Sequence, residues 1–141
     1  MVMTIHVDIV SAEQEIFSGA AEAVFASAVM GEVGIYPRHT QLLTRLKPGE
    51  VRVLIEGKEE EYYVSGGMLE VQPHLVTVLA DTVIRADSID EASALAAKAQ
   101  AEQAVKNSSA KKELAEAQIE LAKAVAQLRS FERARRKGHT H

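Results

Sequence analysis

The periodicity of the hydrophobic residues changes at about residue 88, and this change constrains the fold more than any other feature. In residues 4–10, Ile5, Val7 and Ile9 alternate with polar or outward-facing positions, as in a half-buried strand. Beyond residue 88, long stretches without Gly or Pro have helical spacing. We therefore predict two parts, a β-module of residues 1–88 and a helical part of residues 89–141.

The first part contains several short strand-like runs. Further strands are predicted at residues 23–29, 51–56, 60–65 and 75–80. Turn-forming residues occur at Ser18-Gly19, Gly31, Gly34, Lys47-Pro48-Gly49, Glu56-Gly57-Lys58, Ser65-Gly66-Gly67 and Gln72-Pro73-His74. Short strands separated by such turns predict an antiparallel β-sandwich or barrel. The charged run 59–61 is interpreted as an exposed edge that discourages aggregation.

The second part is predicted to be an antiparallel helical hairpin. Ser88 and Glu91 have the spacing of a capping box, which would open a helix running to about Lys106. A short polar break follows, in which Ser109 is predicted to be the N-cap of a second helix over residues 111–135. Because the connection is short, the two helices are expected to pack side by side. The predicted fold class is thus α+β: an N-terminal β-sandwich followed by a C-terminal helical hairpin.

Alanine dominates the hairpin, and its large apolar residues are few. Leu114, Leu121 and Leu128 repeat every seven residues, with Gln118 and Val125 at the intermediate positions. Alanine favours helix, but burying its methyl group contributes only about 0.8 kcal/mol. We therefore expect the hairpin to hold its helical structure but to dock weakly, and to exchange its contact with the sandwich for another partner.

Charge is unevenly distributed along the chain. Residues 1–88 carry 13 acidic and 6 basic side chains, a formal charge of −7, whereas residues 129–141 carry five basic side chains and one acidic, a formal charge of +4. A basic end on an acidic protein indicates either contact with an acidic surface or a charged terminus that is simply solvated. The alternative is a nucleic-acid-binding adaptor that uses this tail, which the acidic main body and the few aromatic residues disfavour.

The sequence gives no sign of catalytic, cofactor-binding or metal-binding residues. It has no cysteine, and it has no phosphate loop, dinucleotide fingerprint or nucleophile elbow. His6, His39 and His74 lie in different segments without metal-ligand spacing. A small enzyme would need one of these histidines to meet a carboxylate in a pocket, and we expect no such pocket.

No targeting or membrane-spanning segment is predicted. The start of the chain lacks a basic region followed by an apolar one, and no window approaches the apolar length of a membrane span. We therefore expect the cytoplasm, or a cytoplasmic membrane surface that is reached only through partner proteins.

Local strings along most of the chain resemble the epsilon subunit of bacterial F-type ATP synthase. The similarity extends from about Met3 to about Arg133, and its order and spacing make it specific. The matching strings are residues 4–14, 17–19, 31–37, 39, 42–44, 65–73, 76–81, 90–92, 120–124 and 127–129.

The resemblance implies a non-catalytic subunit of the central stalk, located at the cytoplasmic face of the bacterial inner membrane. Its sandwich would bind the γ subunit and the c-ring, and would transmit rotation between proton flow and catalysis. Its hairpin would either fold onto the sandwich or extend into the catalytic head of α and β subunits, where it inhibits ATP hydrolysis.

The resemblance also assigns residues to these contacts. Glu32, Val33 and Gly34 would lie in a loop that faces the c-ring, and Ser11, His39 and Thr44 would lie on the γ-facing side. The hairpin residues that would contact the catalytic head are Ser109, Leu121, Arg129, Arg133, Arg135 and Arg136.

Three positions depart from the pattern of the family. Arg38 follows the Tyr-Pro pair where Gly is frequent, and Gln41 replaces a Pro. Some members bind ATP through a motif that corresponds here to Ile89 and Asp90, but Ser93 stands where that motif has Arg. Losing a charge-assisted contact to phosphate costs about 1.5–3 kcal/mol, so we expect ATP binding to be weak or absent.

Overall fold

Antiparallel pairing links most of the strands in this computed structural model, which describes residues 3–108 and 110–138. The strands are β1 (Ile5–Ser11), β2 (Glu15–Ala21), β3 (Ala23–Ala28), β4 (Gly31–Ile35), β5 (Leu42–Ile55), β6 (Lys58–Val64), β7 (Gly67–Gln72), β8 (Leu75–Ala80) and β9 (Val83–Arg85). They form one sheet in the order β2-β1-β8-β7-β5-β3-β4, with β6 and β9 attached through β5. The pairing of β1 with β8 is parallel.

The long strand β5 joins the two layers of the sandwich. Its first half, Leu42–Leu46, pairs with β7, and its second half, Gly49–Ile55, pairs with β6. The residues Lys47-Pro48-Gly49, predicted as a turn, instead lie inside this strand. Lys47 and Pro48 are where the strand leaves one partner for the next, so the missing N–H of proline interrupts no ladder there.

Two other predicted turns also lie within strands. Ser18-Gly19 is part of β2, where Ser18 pairs with Asp8 and Gly19 with Val7. Gly34 is inside β4 and pairs with Phe25. In both cases pairing with a neighbouring strand overrides the local preference of the residue. The predicted turns at Glu56-Gly57 and Pro73-His74 are confirmed as two-residue hairpin connections.

The core of the β-unit consists of aliphatic side chains from both layers. Fully buried residues include Val7, Ile9, Val24, Val51, Val53, Leu69, Val71, Val76 and Val78. Tyr62 of β6 is also 1% exposed and packs near the ring of Phe17. Burial and close packing of these side chains stabilise the β-unit.

Two helices make up the C-terminal unit, which begins at Ala86, whereas the first unit ends at Arg85. A single 3-10 turn at Ala86–Ser88 precedes α1 (Glu91–Asn107) and α2 (Lys111–Gly138). The predicted hairpin of two helices is confirmed, and with it the α+β fold class. Ser88 is not the helix cap as predicted: it belongs to the 3-10 turn, and Asp90 caps α1 by accepting a hydrogen bond from the Ala92 N–H at 3.2 Å. Ser109, the predicted cap of α2, lies outside the described residues.

Alanines take four of the six buried positions in the described residues of α1 and α2, and Leu128 and Ser130 take the other two. Ala94 and Ala101 of α1 are buried, and so are Ala117 and Ala124 of α2, each pair seven residues apart. The predicted intermediate positions Gln118 and Val125 are displaced by one residue from this row, since Gln118 is exposed and Val125 half-buried. The small side chain of alanine lets the helices approach each other closely and explains why it takes these places.

Candidate interaction surfaces

The three residues assigned to the c-ring lie in strand β4 and not in a loop. Glu32, Val33 and Gly34 follow directly on the Val29-Met30 turn that joins β3 to β4. Met30 at the tip of this hairpin is 91% exposed and Val29 is 54% exposed. Because β4 is the last strand of the sheet order, this hairpin presents apolar and carboxylate groups together at the edge of the sandwich.

Arg52 holds the side chain of Glu32. Its guanidinium donates a hydrogen bond to the Glu32 carboxylate, lies 3.5 Å from a Glu59 oxygen, and sits 4.9 Å above the centre of the Phe25 ring. Burial alone would lower the pKa of Arg52, but the hydrogen bond that Arg52 donates to Glu32 and the charges of Glu59, Glu32 and Glu50 outweigh burial and raise the pKa. Glu32 is therefore a positioned carboxylate, and its side chain remains 59% exposed.

The three residues assigned to γ do not form one cluster. One layer of the sandwich consists of β2, β1, β8, β7 and the first half of β5. Ser11 pairs with Ala80 at one end of this layer. His39 lies in the connection between β4 and β5, near the β7–β8 turn at the other end. Thr44 pairs with the buried Leu69 and therefore lies on the inner face, half-buried. These three positions together would need a partner that extends along the whole layer.

Sequence reasoning missed an apolar patch on the outer face of the layer. Leu43 is 67% exposed and Leu79 is 53% exposed. Val10 and Met68 lie directly beside Leu79 on the neighbouring strands. Leu43 is diagonal to Met68, since Met68 pairs with Arg45 and Leu43 with Glu70. We call Val10, Leu43, Met68 and Leu79 the outer apolar patch. The signal was present in the run Leu42-Leu43, because in a strand with one solvated face only one of two adjacent leucines can point inward.

His6 lies beside the carboxylate of Asp8 on the surface of the sheet. His6 Nε2 lies 2.9 Å from Asp8 Oδ1 and 3.1 Å from Ser18 Oγ, and the Ser18 hydroxyl donates to the same Asp8 oxygen at 2.7 Å. These groups are on an open sheet surface, and the histidine uses one nitrogen for both partners. A serine activated for attack would instead donate to the histidine, with the carboxylate on the other ring nitrogen. The arrangement therefore links β1 to the edge strand β2 and does not form a nucleophile.

The predicted ATP-site residues form the cap of α1. Asp90 accepts from the Ala92 N–H, and its second carboxylate oxygen accepts a hydrogen bond from the Ser93 hydroxyl at 2.8 Å. The side chain of Ile89 is 6% exposed. Both oxygens of Asp90 are thus engaged within the helix start, and Ser93 supplies no positive charge for a phosphate.

The arginines assigned to the catalytic head lie at the end of α2 and do not share one face. Arg129, Arg133 and Arg136 are exposed and spaced at i, i+4 and i+7, so they form one stripe along the helix. Arg135 points elsewhere, with its guanidinium 6.0 Å from the Phe131 ring centre. Leu121 is half-buried. We call Arg129, Arg133 and Arg136 the basic stripe.

Metal binding and membrane insertion find no support in the described part of the chain. Within residues 3–108 and 110–138, no three histidine, cysteine or acidic side chains converge as they would around a metal ion. Neither α1 nor α2, over the residues described, combines the length and the apolar character that a membrane span requires.

Comparison with known families gives the class of the protein. Residues 4–86 match the β-sandwich domain of the ATP synthase delta/epsilon chain, and residues 87–135 match the long α-helix domain of the same chain. The chain belongs to the ATP synthase delta/epsilon chain family.

Bacterial relatives narrow this class to epsilon chains. The ATP synthase epsilon chain of Nitrosococcus oceani is 64% identical over 138 residues, which cover 97% of this chain and 99% of the relative. Epsilon chain 1 of Methylococcus capsulatus is 60% identical over 137 residues, with 96% and 98% covered. The resemblance to bacterial epsilon subunits is thereby confirmed, and the comparisons give no support to a nucleic-acid-binding adaptor.

Two solved structures share the fold. A chain in the cryo-EM structure of the Euglena gracilis mitochondrial ATP synthase, comprising OSCP, F1 and c-ring, has a TM-score of 0.79 at 22% identity, covering 93% of this chain and 81% of that chain. A chain in the central stalk and c-ring structure of the Tetrahymena thermophila enzyme has a TM-score of 0.62 at 11% identity, with 94% and 96% covered.

Proposed function

We propose that this subunit is a non-catalytic coupling element of the central stalk, and that its helical hairpin inhibits ATP hydrolysis. The observation that carries the proposal is the contrast between its two units. The sandwich has a dense aliphatic core and carries exposed apolar side chains, whereas most of the buried positions of the hairpin are alanines. The densely packed sandwich is suited to a permanent contact with a partner subunit. The thinly packed hairpin is suited to a contact that forms and breaks.

The sandwich is proposed to bind γ and the c-ring. The outer apolar patch supports the γ contact, because exposed clusters of large apolar residues are typical of protein interfaces. At the other site, the Val29-Met30 turn and the Glu32 carboxylate held by Arg52 support a contact of the β3–β4 hairpin with the c-ring. The subunit would thus reach the cytoplasmic face of the bacterial inner membrane only through its partners.

The hairpin is proposed to extend into the head of α and β subunits. Two observations support mobility. Leu95 and Ile119 are 51% and 53% exposed, so two of the few large apolar side chains of the hairpin contribute little buried surface. In addition, the buried Ser130 hydroxyl has no hydrogen-bond partner among the described residues. Burying a hydroxyl in this way costs about 1–3 kcal/mol of stability. Once extended, the basic stripe would meet acidic segments of the head.

A binding experiment with purified γ tests the sandwich contact. We expect the full chain to form a 1:1 complex, and Leu43→Glu to weaken it strongly, because a carboxylate would be buried at the interface. Val29→Glu places the same charge on an exposed apolar residue of the β3–β4 turn, outside the patch, and is the matched control that should leave the complex with γ intact. A failure of the wild-type chain to bind γ would contradict the proposal.

A hydrolysis assay tests the inhibitory contact. The full chain is added to ATP synthase catalytic complex depleted of this subunit, with wild type compared to a variant in which the basic stripe is replaced by glutamine. We expect inhibition by the wild type and its loss in the variant. Replacement of Lys106, Lys111 and Lys112 by glutamine removes an equal charge at the other end of the hairpin and should leave inhibition intact. Equal inhibition by all three proteins would contradict a role for the stripe.

ATP is predicted to bind the isolated chain weakly or not at all. Asp90 already accepts two hydrogen bonds within the start of α1, and Ser93 provides no cation. Calorimetry with Ser93→Arg should detect a gain in affinity, because the guanidinium restores a charge-assisted contact. Submicromolar affinity of the wild-type chain would contradict this prediction.

A further inference from the structure

Arg38 occupies a backbone conformation that disfavours arginine. Tyr36, Pro37, Arg38 and His39 form a β-turn in which the His39 N–H donates to the Tyr36 carbonyl at 3.2 Å. Arg38 has φ of 66° and follows a proline. This is the third position of a type II turn, where a left-handed backbone is required and Gly or Asn is preferred.

Among residues 3–108 and 110–138, no interaction of the Arg38 side chain explains why arginine stands there. The backbone N–H of Arg38 donates to the Pro73 carbonyl at 3.0 Å, a bond that any residue except proline would make. Its side chain is exposed, and in the described residues no hydrogen bond, ion pair or ring contact engages the guanidinium. Residues held in such backbone conformations cluster at functional sites.

The turn lies beside a surface already proposed to bind a partner. Leu43 of the outer apolar patch lies in a shallow groove with Gln41, Glu70 and Gln72. Gln72 of this groove is followed by Pro73, whose carbonyl accepts the hydrogen bond from the Arg38 N–H. Gln41, on the other side of the groove, is two residues after His39. An apolar centre with a cation at its rim is the usual composition of a protein interface.

We infer that Arg38 is a recognition residue whose guanidinium pairs with a carboxylate of the γ subunit. The inference rests on the proposed function, which assigns γ to this side of the sandwich. Guanidinium is suited to bidentate pairing with a carboxylate. The charge of the β-unit agrees with this partner, because residues 1–88 carry −7 in total and would repel an acidic group elsewhere. Arg38 supplies a local site of opposite sign.

The test compares four full-length chains: wild type, Arg38→Gly, Arg38→Asn and Arg38→Lys. Glycine and asparagine relieve the strained backbone, so we expect Tm of the isolated chain to rise by a few degrees in both. Binding to γ should nevertheless weaken by about tenfold or more in both, and less in the lysine variant. The affinity of wild type should also fall more steeply with added salt than that of Arg38→Gly.

The outcomes separate the two levels of the argument. If wild type binds γ and Arg38→Gly binds as tightly with the same salt dependence, the inference is wrong while the proposed function stands. If wild type does not bind γ at all, the proposed function fails, and the inference fails with it. A rise in Tm together with a loss of affinity in the glycine and asparagine variants supports the inference, because a merely structural role would not move the two in opposite directions.

Discussion

Among the glycines of the sandwich, Gly67 is the one where an added Cβ would come closest to a neighbouring atom. Its φ is +139°, and a Cβ at this position would lie 2.1 Å from the Leu79 carbonyl oxygen. The close approach of β7 to β8 thus requires the absence of a side chain. Gly57, in the turn between β5 and β6, also has a positive φ, of +79°, but nothing lies within 4 Å of a Cβ built there.

We predict that Gly67→Ala destabilises the chain by about 3 kcal/mol or more, since the backbone of β7 and β8 must separate. Gly57→Ala adds only the cost of a left-handed alanine, about 1 kcal/mol. Urea denaturation of both variants measures the difference. Equal losses would show that strain alone, and not the contact with Leu79, determines the effect.

Asp8 gives the stability of the chain a dependence on acidic pH. The Ser18 hydroxyl lowers the pKa of Asp8 below its ordinary 3.8, burial opposes this, and the hydrogen bond and charge of His6 lower it further. A lowered pKa in the folded state means that the charged form stabilises the fold above pH 3.8. That contribution is lost as the pH falls through the lower folded pKa.

Asp8→Asn should therefore reduce stability at pH 5 and have a progressively smaller effect below pH 3.8. The measurement is the free energy of unfolding in urea across this range. Ser18→Ala should show the same trend, because it removes the main cause of the shift. A difference between wild type and Asp8→Asn that stays constant down to the lowest pH would contradict this account.

At the scale of elements, local patterns predicted where strands and helices occur but not how each one is bounded. The alternation of residues 75–80 gave β8 with its observed limits, and the Glu56-Gly57 turn was correctly identified. The run Lys47-Pro48-Gly49 looked like a turn because its residues favour one, yet it lies inside β5, where the strand changes partners. Strand pairing over long sequence distances is not visible in local composition.

The N-cap of α1 and the significance of Arg38 could not be predicted from the sequence, because both depend on the local backbone conformation. Ser88 and Asp90 are both good N-caps, and the 3-10 turn that precedes α1 decides in favour of Asp90. Arg38 departs from a pattern in the sequence, but its significance depends on a backbone angle that the sequence does not give.

The alanine rows of the hairpin are expected to reject larger side chains. Ala101 and Ala124 line the same groove between α1 and α2, and Ala124 is 5% exposed. Ala124→Leu should overpack this contact and destabilise the hairpin by about 1–3 kcal/mol. Ala122→Leu, on the exposed face of the same helix, is the matched control and should be nearly neutral. Thermal melting followed by circular dichroism compares them, and equal melting would contradict the packing that we describe.

At the scale of the whole molecule, the two units should differ in local stability. Amides of the buried strands, such as those of Val7, Val53 and Val78, should exchange with solvent only through global unfolding. Amides of residues 90–130 should exchange faster, because most of the buried positions of the hairpin are alanines, and Leu95 and Ile119 are exposed. Hydrogen exchange followed by mass spectrometry resolves the two classes. Uniformly slow exchange through residues 90–130 would contradict the weakly held hairpin.

The same hydrogen-exchange measurement tests the effect of Ser130→Ala. This substitution removes the hydroxyl that is buried without a partner, so the arrangement that buries it should become more stable. Exchange of the α2 amides should therefore slow.

The parallel pairing of β1 with β8 has a consequence for biosynthesis. β1 lies between β2 and β8 in the sheet, so one of its edges finds its partner only when residues 75–80 have left the ribosome. Chains emerge at about 5–20 residues per second, and β1 therefore waits several seconds with one edge unpaired. During that interval the nascent chain exposes a strand edge to other proteins, and the sandwich closes only near the end of its own translation.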